Sequence, residues 1–278
     1  MATLGQYGIW RTSDGLNGAL AAELEKLGFG AVWIGGSPPA DLELAEELLD
    51  ATERIAVVTG IVNMWNSPAA AVAESYHRLA AKHPGRFVLG VGVGHREVTQ
   101  AYQKPYDKMV EYLDELDTAG VPRAERILAA LGPKVIRLAG QRTAGAFPYL
   151  VTPEHTAQAR EILGDGPLLT PEHKVALGTD RGRTRPIARA RVYDPYLKSR
   201  LSNYLNNWRR HGFTEDDLAG EGSDRLVDAL VAQGDAATVV ARLREHLDAG
   251  ADHVAIQLLT EPGADPLPGY RQLAEALG

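Results

Sequence analysis

The chain has 278 residues, of which 45% are hydrophobic and 23% charged, a composition typical of a folded globular protein. The 29 Lys and Arg residues against 36 Asp and Glu residues leave a net charge of −7, which argues against nucleic acid as a partner because phosphate binding needs a basic surface. The chain has no Cys, so disulfides, thiolate metal sites and thiol nucleophiles are excluded.

The beginning of the chain carries no targeting pattern. Residues 1–10 lack the basic start and the apolar run of a signal peptide. All apolar stretches are much shorter than the ~20 residues that a membrane span needs. We therefore expect a cytoplasmic protein without a membrane partner.

Short apolar runs alternate with helical patterns along the chain. Strands are predicted over residues 5–10, 31–34, 55–62, 87–91, 126–130, 145–151, 174–177 and 253–258. Helices are predicted over residues 17–27, 41–50, 67–82, 106–118, 133–141 and 236–249, and from residue 152 onward. Ser67 is the predicted N-cap of the third helix, with Pro68 at its first position. The run over 55–62 is apolar on both faces, which is typical of a buried parallel strand.

Eight strands that alternate with helices predict an α/β fold, a (β/α)8 TIM barrel that takes up residues 1–278 as one domain. An open, doubly wound sheet of six or seven strands is the alternative. Residues 194–232 interrupt the alternation and contain Tyr196, Tyr204 and Trp208. We expect a helical insertion there, between the seventh strand and the eighth helix.

The carboxyl ends of the predicted strands, where a barrel places its active site, are rich in glycine and poor in carboxylates. They read Gly35-Gly36-Ser37, Gly60-Ile61-Val62-Asn63, Gly92-Val93-Gly94-His95 and Ala130-Leu131-Gly132. Glycine lets the backbone come close to a flat or phosphorylated ligand. The scarcity of carboxylates argues against a hydrolase that uses a carboxylate pair. This pattern favours a site in which a bound cofactor carries the chemistry.

His95 is the only histidine at a predicted strand end, and both an acid/base role and a position in a surface loop are open. The spacing of Gly90, Gly92 and Gly94 departs from the dinucleotide-binding fingerprint. No two histidines have the helical spacing of a metal site, so we expect no metal.

Two segments could bind an anion, one through backbone amides and the other through arginine side chains. The start of the helix after Gly132 could direct its backbone amides at a phosphate, or form an ordinary turn. Arg181, Arg183 and Arg185 follow the seventh strand, where they could face a phosphate or form a solvated helix start.

At the strand ends the sequence resembles the luciferase-like flavin and deazaflavin oxidoreductases. The resemblance spans nearly the whole chain and depends on residues 28–35, 60–63, 85–92 and 129–133. The turn over 35–38 and the segments 148–155 and 212–218 are similar to an actinobacterial branch of probable F420-dependent oxidoreductases.

The resemblance implies a barrel that binds the ring of coenzyme F420 or, alternatively, of FMN. By motif position the cofactor-binding residues would be Gly36, Ser37, Gly60, Ile61, Asn63, Gly92, Gly94, Ala130, Leu131 and Gly132. In such relatives a non-proline cis peptide supports the ring from behind, and its position here is Gly60–Ile61. Relatives generally form homodimers, which implies the same for this chain.

Two positions depart from the pattern of the deazaflavin-dependent relatives. These relatives often carry Asp-His where this chain has Gly36 and Ser37, and Glu where it has His95. The usual proton-transfer pair is therefore missing. His95, with an ordinary pKa of ~6.5, is the candidate acid or base, and Tyr149 is a second candidate donor.

Three functions follow as hypotheses. The first is an F420-dependent oxidoreductase that moves a hydride to or from a small organic substrate. The second is an FMNH2-dependent monooxygenase, and the third is a barrel that holds a flavin without turnover. Trp10, Trp65 and Tyr149 are the expected pocket walls, which suggests an apolar substrate.

Overall fold

Strands and helices alternate along the chain in the computed structural model, which describes residues 2–94 and 104–278. The strands in these residues are β1 (Tyr7–Thr12), β2 (Ala31–Gly35), β3 (Ala56–Thr59), β4 (Val62–Asn63), β5 (Phe87–Gly92), β6 (Arg126–Ala129), β7 (Gly145–Phe147), β8 (Leu168–Leu169), β9 (Glu172–Leu177), β10 (Val231–Gly234) and β11 (Val254–Leu258). The helices are α1 (Gly18–Lys26), α2 (Glu43–Asp50), α3 (Ala69–Lys82), α4 (Pro105–Thr118), α5 (Pro133–Arg142), α6 (Pro153–Leu163), α7 (Arg181–Val192), α8 (Ser202–Arg210), α9 (Glu215–Leu218), α10 (Asp224–Leu230), α11 (Ala236–Asp248) and α12 (Leu267–Leu277).

The parallel sheet curls until its two edges meet. Pairing runs from β9 through β11, β1, β2, β3, β5, β6 and β7 to β8. Only Thr170 and Pro171 separate β8 from β9, so the two form one extended stretch. On one side of this stretch the Thr170 N–H donates to the Ala146 carbonyl at 3.0 Å, and on the other the Pro171 carbonyl accepts from the Ala255 N–H at 2.9 Å. The predicted TIM-barrel fold is confirmed, and the open sheet is excluded.

Two predicted elements differ from the structure. The strand predicted over 55–62 is divided, because the chain bulges at Gly60 and Ile61 between β3 and β4. The segment 194–232, expected to be helical, contains α8, α9 and α10 but ends in the first residues of β10. There the buried Val231 pairs with Lys174 of β9, and a backbone that is paired in a sheet cannot continue a helix.

Three hydrophobic clusters form the core. The largest fills the space between the strands and the surrounding helices, and another joins the insertion to the barrel. The third lies inside the barrel, because alternate residues of each strand point inward. There Trp33 stacks on Phe147 with ring centroids 4.5 Å apart, and its indole N–H donates to His253 Nε2 at 2.9 Å. Among the described residues, packed side chains therefore fill the lower half of the barrel.

The helix starts follow the capping rules in part. Asn17 caps α1 by accepting a hydrogen bond from the Leu20 N–H at 2.9 Å. Helix α3 begins at Ala69 with Pro68 as its N-cap, so the predicted cap at Ser67 is wrong by one residue. None of the helices in the described part of the chain has the length and apolarity to cross a membrane.

Candidate functional site

A cavity of about 620 Å³ opens at the carboxyl ends of the strands, between the barrel and the insertion. The barrel and its loops supply most of its lining, namely Trp10, Thr12, Gly36, Ser37, Gly60, Ile61, Asn63, Val93, Gly94, Pro105, Met109, Ala129, Ala130, Leu131, Gly132, Val135, Phe147 and Tyr149. The insertion supplies Tyr196, Ser202, Asn203, Tyr204 and Asn206.

The bulge after β3 forms one side of the cavity. The peptide bond between Gly60 and Ile61 is cis, as predicted, and the Gly60 carbonyl accepts a hydrogen bond from the Trp10 indole N–H at 3.2 Å. A Cβ added to Gly92 would lie 3.2 Å from Ile61 Cγ1 and 2.8 Å from the Ala129 Cβ. Gly92 is therefore buried beneath Ile61 rather than at the cavity wall where we expected it, and it lets Ile61 settle onto the sheet.

Small residues occupy the place of the missing Asp-His pair. Gly36 and Ser37 both line the cavity and have positive φ, at 81° and 57°. Asn63, the last residue of β4, also lines the cavity, and its Oδ1 accepts a hydrogen bond from the Trp65 N–H at 2.9 Å. The expectation that Trp65 forms a wall is wrong, since only its backbone engages this loop and its side chain packs against the outer core.

The N-terminus of α5 has features that favour the binding of an anion. Gly132 is the N-cap of α5, and a Cβ built on it would lie 3.7 Å from Nη1 of Arg210. The partial positive charge of a helix start and a guanidinium both favour negative charge. The preceding Leu131 carbonyl is held by His155 Nε2 at 2.9 Å, and burial lowers the pKa of His155 to about 4.

Tyr149 brings a phenol to the cavity from the loop after β7. Its hydroxyl donates to Gln257 Oε1 at 2.7 Å, and its ring lies 5.4 Å from Trp10 and 6.2 Å from Tyr196, centroid to centroid. Burial raises the pKa of Tyr149 well above its usual range. The phenol is therefore neutral near pH 7 and is able to donate a hydrogen bond.

The described part of the lining holds no Asp, Glu, Lys, Arg or His side chain. Its titratable groups are the phenols Tyr149, Tyr196 and Tyr204. His95, the first candidate acid or base, lies outside the described residues. Within the described residues the proton-donating candidates at the cavity are these three phenols, of which Tyr149 is the second candidate that the sequence predicted.

The arginines after the seventh strand form a surface patch away from the cavity. Arg181 pairs with Asp228 at 3.1 Å, Arg183 with Glu261 at 3.0 Å, and Arg185 with Asp228 at 2.7 Å. Their interpretation as a solvated helix start is confirmed.

Sequence reasoning missed the aromatic wall that the insertion adds. Tyr196 and Tyr204 contact each other with ring centroids 4.8 Å apart and continue the row that begins at Trp10 and Tyr149. The density of tyrosine in the insertion was a signal, but which of them face the cavity depends on tertiary packing.

Comparison with known proteins identifies relatives for this arrangement. A family model described as luciferase-like monooxygenase matches residues 15–253. No protein in the comparison with curated sequences matches the chain.

Several solved structures share the fold. One is an F420-dependent secondary alcohol dehydrogenase in complex with an F420–acetone adduct, with 15% identity, a TM-score of 0.73, and coverage of 99% of this chain and 98% of that chain. The coenzyme F420-dependent tetrahydromethanopterin reductase from Methanopyrus kandleri has 15% identity, a TM-score of 0.71 and the same coverage. The oxygenating constituent of 3,6-diketocamphane monooxygenase from Pseudomonas putida, in complex with FMN, has 15% identity, a TM-score of 0.72, and coverage of 98% and 96%.

Proposed function

Because this chain belongs to the luciferase-like monooxygenase family of oxidoreductases, we propose that it is an F420-dependent enzyme that transfers a hydride to or from a small organic substrate. The observation that carries the proposal is the cavity itself. It places an apolar bulge at Gly60–Ile61 within the same space as the anion-favouring start of α5. A cofactor that joins a flat ring to a phosphate needs these two features.

The residues present fit such a group. The Ile61 and Val93 side chains offer an apolar surface to a ring, and the narrow Gly36–Ser37 turn leaves room beside it. Gly132 in the lining, and Arg210 beside it just outside the lining, would hold the phosphate at the start of α5. The bound deazaflavin supplies the hydride chemistry, and the protein supplies orientation and electrostatics.

The chain's own contribution to the reaction is a hydrogen bond and the exclusion of water. Tyr149 would turn its O–H from Gln257 Oε1 to an oxygen atom of the substrate, since its phenol is neutral and lines the cavity. The aromatic row of Trp10, Tyr149, Tyr196 and Tyr204 favours an uncharged, apolar substrate because a charged group would lose hydration there without a partner.

FMN is the second candidate cofactor. A phosphate site at Gly132 and Arg210 would serve FMN equally well, and the structural relatives include one whose complex contains FMN. The features that favour F420 are the sequence turn at residues 35–38 and the segments 148–155 and 212–218.

A pair of titrations tests the proposal. Oxidised F420 and FMN are added separately to the purified protein, and cofactor fluorescence is followed. We expect micromolar binding of F420 and turnover with an alcohol, an aldehyde or an activated alkene. Binding of FMN without F420 would overturn the proposal in favour of the monooxygenase. Tight binding without turnover on any of these substrates would favour a barrel that only holds the cofactor.

His95 stays a proposed acid or base, and its test is independent of Tyr149. We expect His95→Ala to lower the rate of hydride transfer and to remove an inflection near pH ~6.5 from the pH profile. The measurement is kcat between pH 5 and 9 with saturating cofactor. A variant with the rate and profile of the unmodified protein removes His95 from the mechanism.

A further inference from the structure

The geometry points to Glu172, Lys174 and Gln257 as positioning residues that hold the Tyr149 phenol in one orientation at the cavity. The catalytic role of this orientation rests on the proposed function, whereas the orientation of the Tyr149 phenol is a property of the protein without a ligand. The three residues lie on β9 and β11, two adjacent strands of the barrel.

Glu172 and Lys174 form an ion pair inside the barrel. The two residues are two positions apart on β9, so both side chains point into the barrel. The Glu172 side chain is 0% exposed and the Lys174 side chain 1%, and Lys174 Nζ lies 3.0 Å from Glu172 Oε1. Removing two charges from water costs as much as their attraction returns, so an apolar pair of similar volume would serve stability equally well. The pair is therefore weak evidence for a role in stability.

The carboxylate of Glu172 holds the backbone next to Tyr149. Its second oxygen, Oε2, accepts a hydrogen bond from the Leu150 N–H at 3.0 Å. Leu150 has a φ of 57°, a left-handed conformation that is uncommon for a residue with a side chain. Glu172 thereby stabilises the sharp turn that follows Tyr149.

Lys174 and Gln257 hold the Tyr149 side chain itself. The ammonium of Lys174 lies 3.9 Å from the centre of the Tyr149 ring, within the range of a cation–π contact that is stronger when water is excluded. Gln257 Oε1 accepts the hydrogen bond from the hydroxyl at 2.7 Å. Backbone, ring face and hydroxyl of Tyr149 are thus each fixed by one of the three residues.

A fixed phenol acts on the rate more than on affinity. A phenol ring that is already in place needs only a turn of its O–H from Gln257 to the substrate, so loss of the fixed orientation lowers kcat. A purely structural ion pair would instead change only the stability of the protein. The two roles are separable by a signal from Tyr149 itself.

The test follows Tyr149 by fluorine NMR in protein labelled with 3-fluorotyrosine. Tyr149→Phe assigns the resonance by its disappearance. The double variant Glu172→Gln/Lys174→Met removes both charges, leaves no unpaired one, and keeps an oxygen that can accept from the Leu150 N–H. We expect the Tyr149 resonance to shift and broaden, and kcat to fall about tenfold with little change in KM.

The matched control is Glu23→Gln/Lys26→Met, which neutralises an exposed Glu–Lys pair on α1 whose atoms lie 2.8 Å apart. We expect it to leave the resonance and kcat unchanged. Gln257→Leu removes one hydrogen-bond partner of the Tyr149 hydroxyl and leaves Tyr196 as the other, so it tests the role of Gln257 even if the double variant does not fold. An unchanged Tyr149 resonance in the folded variants overturns the positioning role. Failure of the unmodified protein to bind either cofactor would overturn the proposed function, and the resonances of the free proteins would still decide the role of these residues.

Discussion

Gly92 matters to the cavity although it does not line it. A Cβ at this position would approach the Ala129 Cβ to 2.8 Å and Ile61 Cγ1 to 3.2 Å, where Ala129 is held in β6 and Ile61 lies in the bulge between β3 and β4. We expect Gly92→Ala to lower the free energy of unfolding by ~1–3 kcal/mol, as overpacking does, and to weaken cofactor binding by lifting Ile61. Urea unfolding and fluorescence titration measure the two effects.

Gly132→Ala is the control for this substitution. Its φ of −91° suits any residue, and its Cβ would lie 3.7 Å from Arg210 Nη1, an ordinary contact. We expect its unfolding free energy to stay within ~0.5 kcal/mol of the unmodified protein. An equal decrease in the free energy of unfolding of Gly92→Ala and Gly132→Ala would contradict the role given to Gly92.

Arg210 is the residue that distinguishes a phosphate site from an ordinary turn. We expect Arg210→Gln to weaken the binding of F420 or FMN about tenfold, which is ~1.4 kcal/mol, and to leave riboflavin binding unchanged because riboflavin has no phosphate. Arg209→Gln is the control, since the neighbouring Arg209 pairs with Glu215 instead. Equal weakening by both variants, or weaker riboflavin binding in Arg210→Gln, would contradict this placement.

Local sequence motifs predicted those residues of the cavity lining that lie at the ends of strands. Gly60, Asn63 and Gly132 each end or follow a strand, and the sequence shows strand ends directly. The hydrogen bond between Tyr149 and Gln257 joins residues 108 positions apart, and no local pattern indicates such a contact. Lys174 likewise gave no signal, because a lysine within a predicted strand is ordinarily exposed.

Among the elements, helix α8 attaches the insertion to the barrel. Trp208 on this helix is 1% exposed, and its indole N–H donates to the Leu150 carbonyl at 3.4 Å. We expect Trp208→Ala to lower the free energy of unfolding by ~3–5 kcal/mol and to weaken cofactor binding, because Tyr204 on the same helix loses its support. Trp208→Phe keeps most of the packing and should cost less, which thermal unfolding will show. A Trp208→Ala variant with unchanged cofactor affinity would mean that Tyr204 keeps its position without this contact.

Element boundaries were harder to predict than element types. The apolar pattern over residues 55–62 reports burial, and both β3 and β4 are buried, so the bulge between them leaves no mark in the pattern. The strand β10 directly follows α10, and its first two residues, Val231 and Ala232, were predicted as part of the helical segment. Their pairing with β9 is a tertiary contact that overrides the local pattern.

Buried histidines determine how the whole molecule responds to acid. Burial lowers the pKa of His155 and His253 to about 4 and that of His173 to about 3, and it holds the pKa of His246 well below its usual range. The unfolded chain therefore takes up protons below pH ~6.5 that the folded chain does not bind, so stability falls as the pH falls from there toward 4. The contribution is ~2 kcal/mol each for His155 and His253 at pH 5.

Urea unfolding at pH 7.5, 6 and 5 measures this dependence. We expect the free energy of unfolding to decrease with each step, and His253→Gln to reduce the slope because it removes one buried imidazole. His77→Gln, at an exposed position, is the control. A free energy of unfolding that is independent of pH between 7.5 and 5 would contradict the prediction.

The fold as a whole followed from the sequence because strand and helix alternate throughout. Closure was predicted from the count of eight strands, whereas the short β8 and the two backbone hydrogen bonds around Thr170 and Pro171 that close the barrel were not. The homodimer expected from the resemblance stays a proposal, and light scattering on the purified protein will decide it.

The two sides of the cavity are encoded in separate parts of the chain. The bulge at Gly60–Ile61 and the start of α5 belong to the ring of strands, whereas Tyr196, Asn203 and Tyr204 come from one continuous stretch. Randomised libraries confined to residues 196–204 can therefore alter which molecules are accepted without changing a residue of the bulge or of α5. The architecture offers a protein engineer one wall that can be varied by itself.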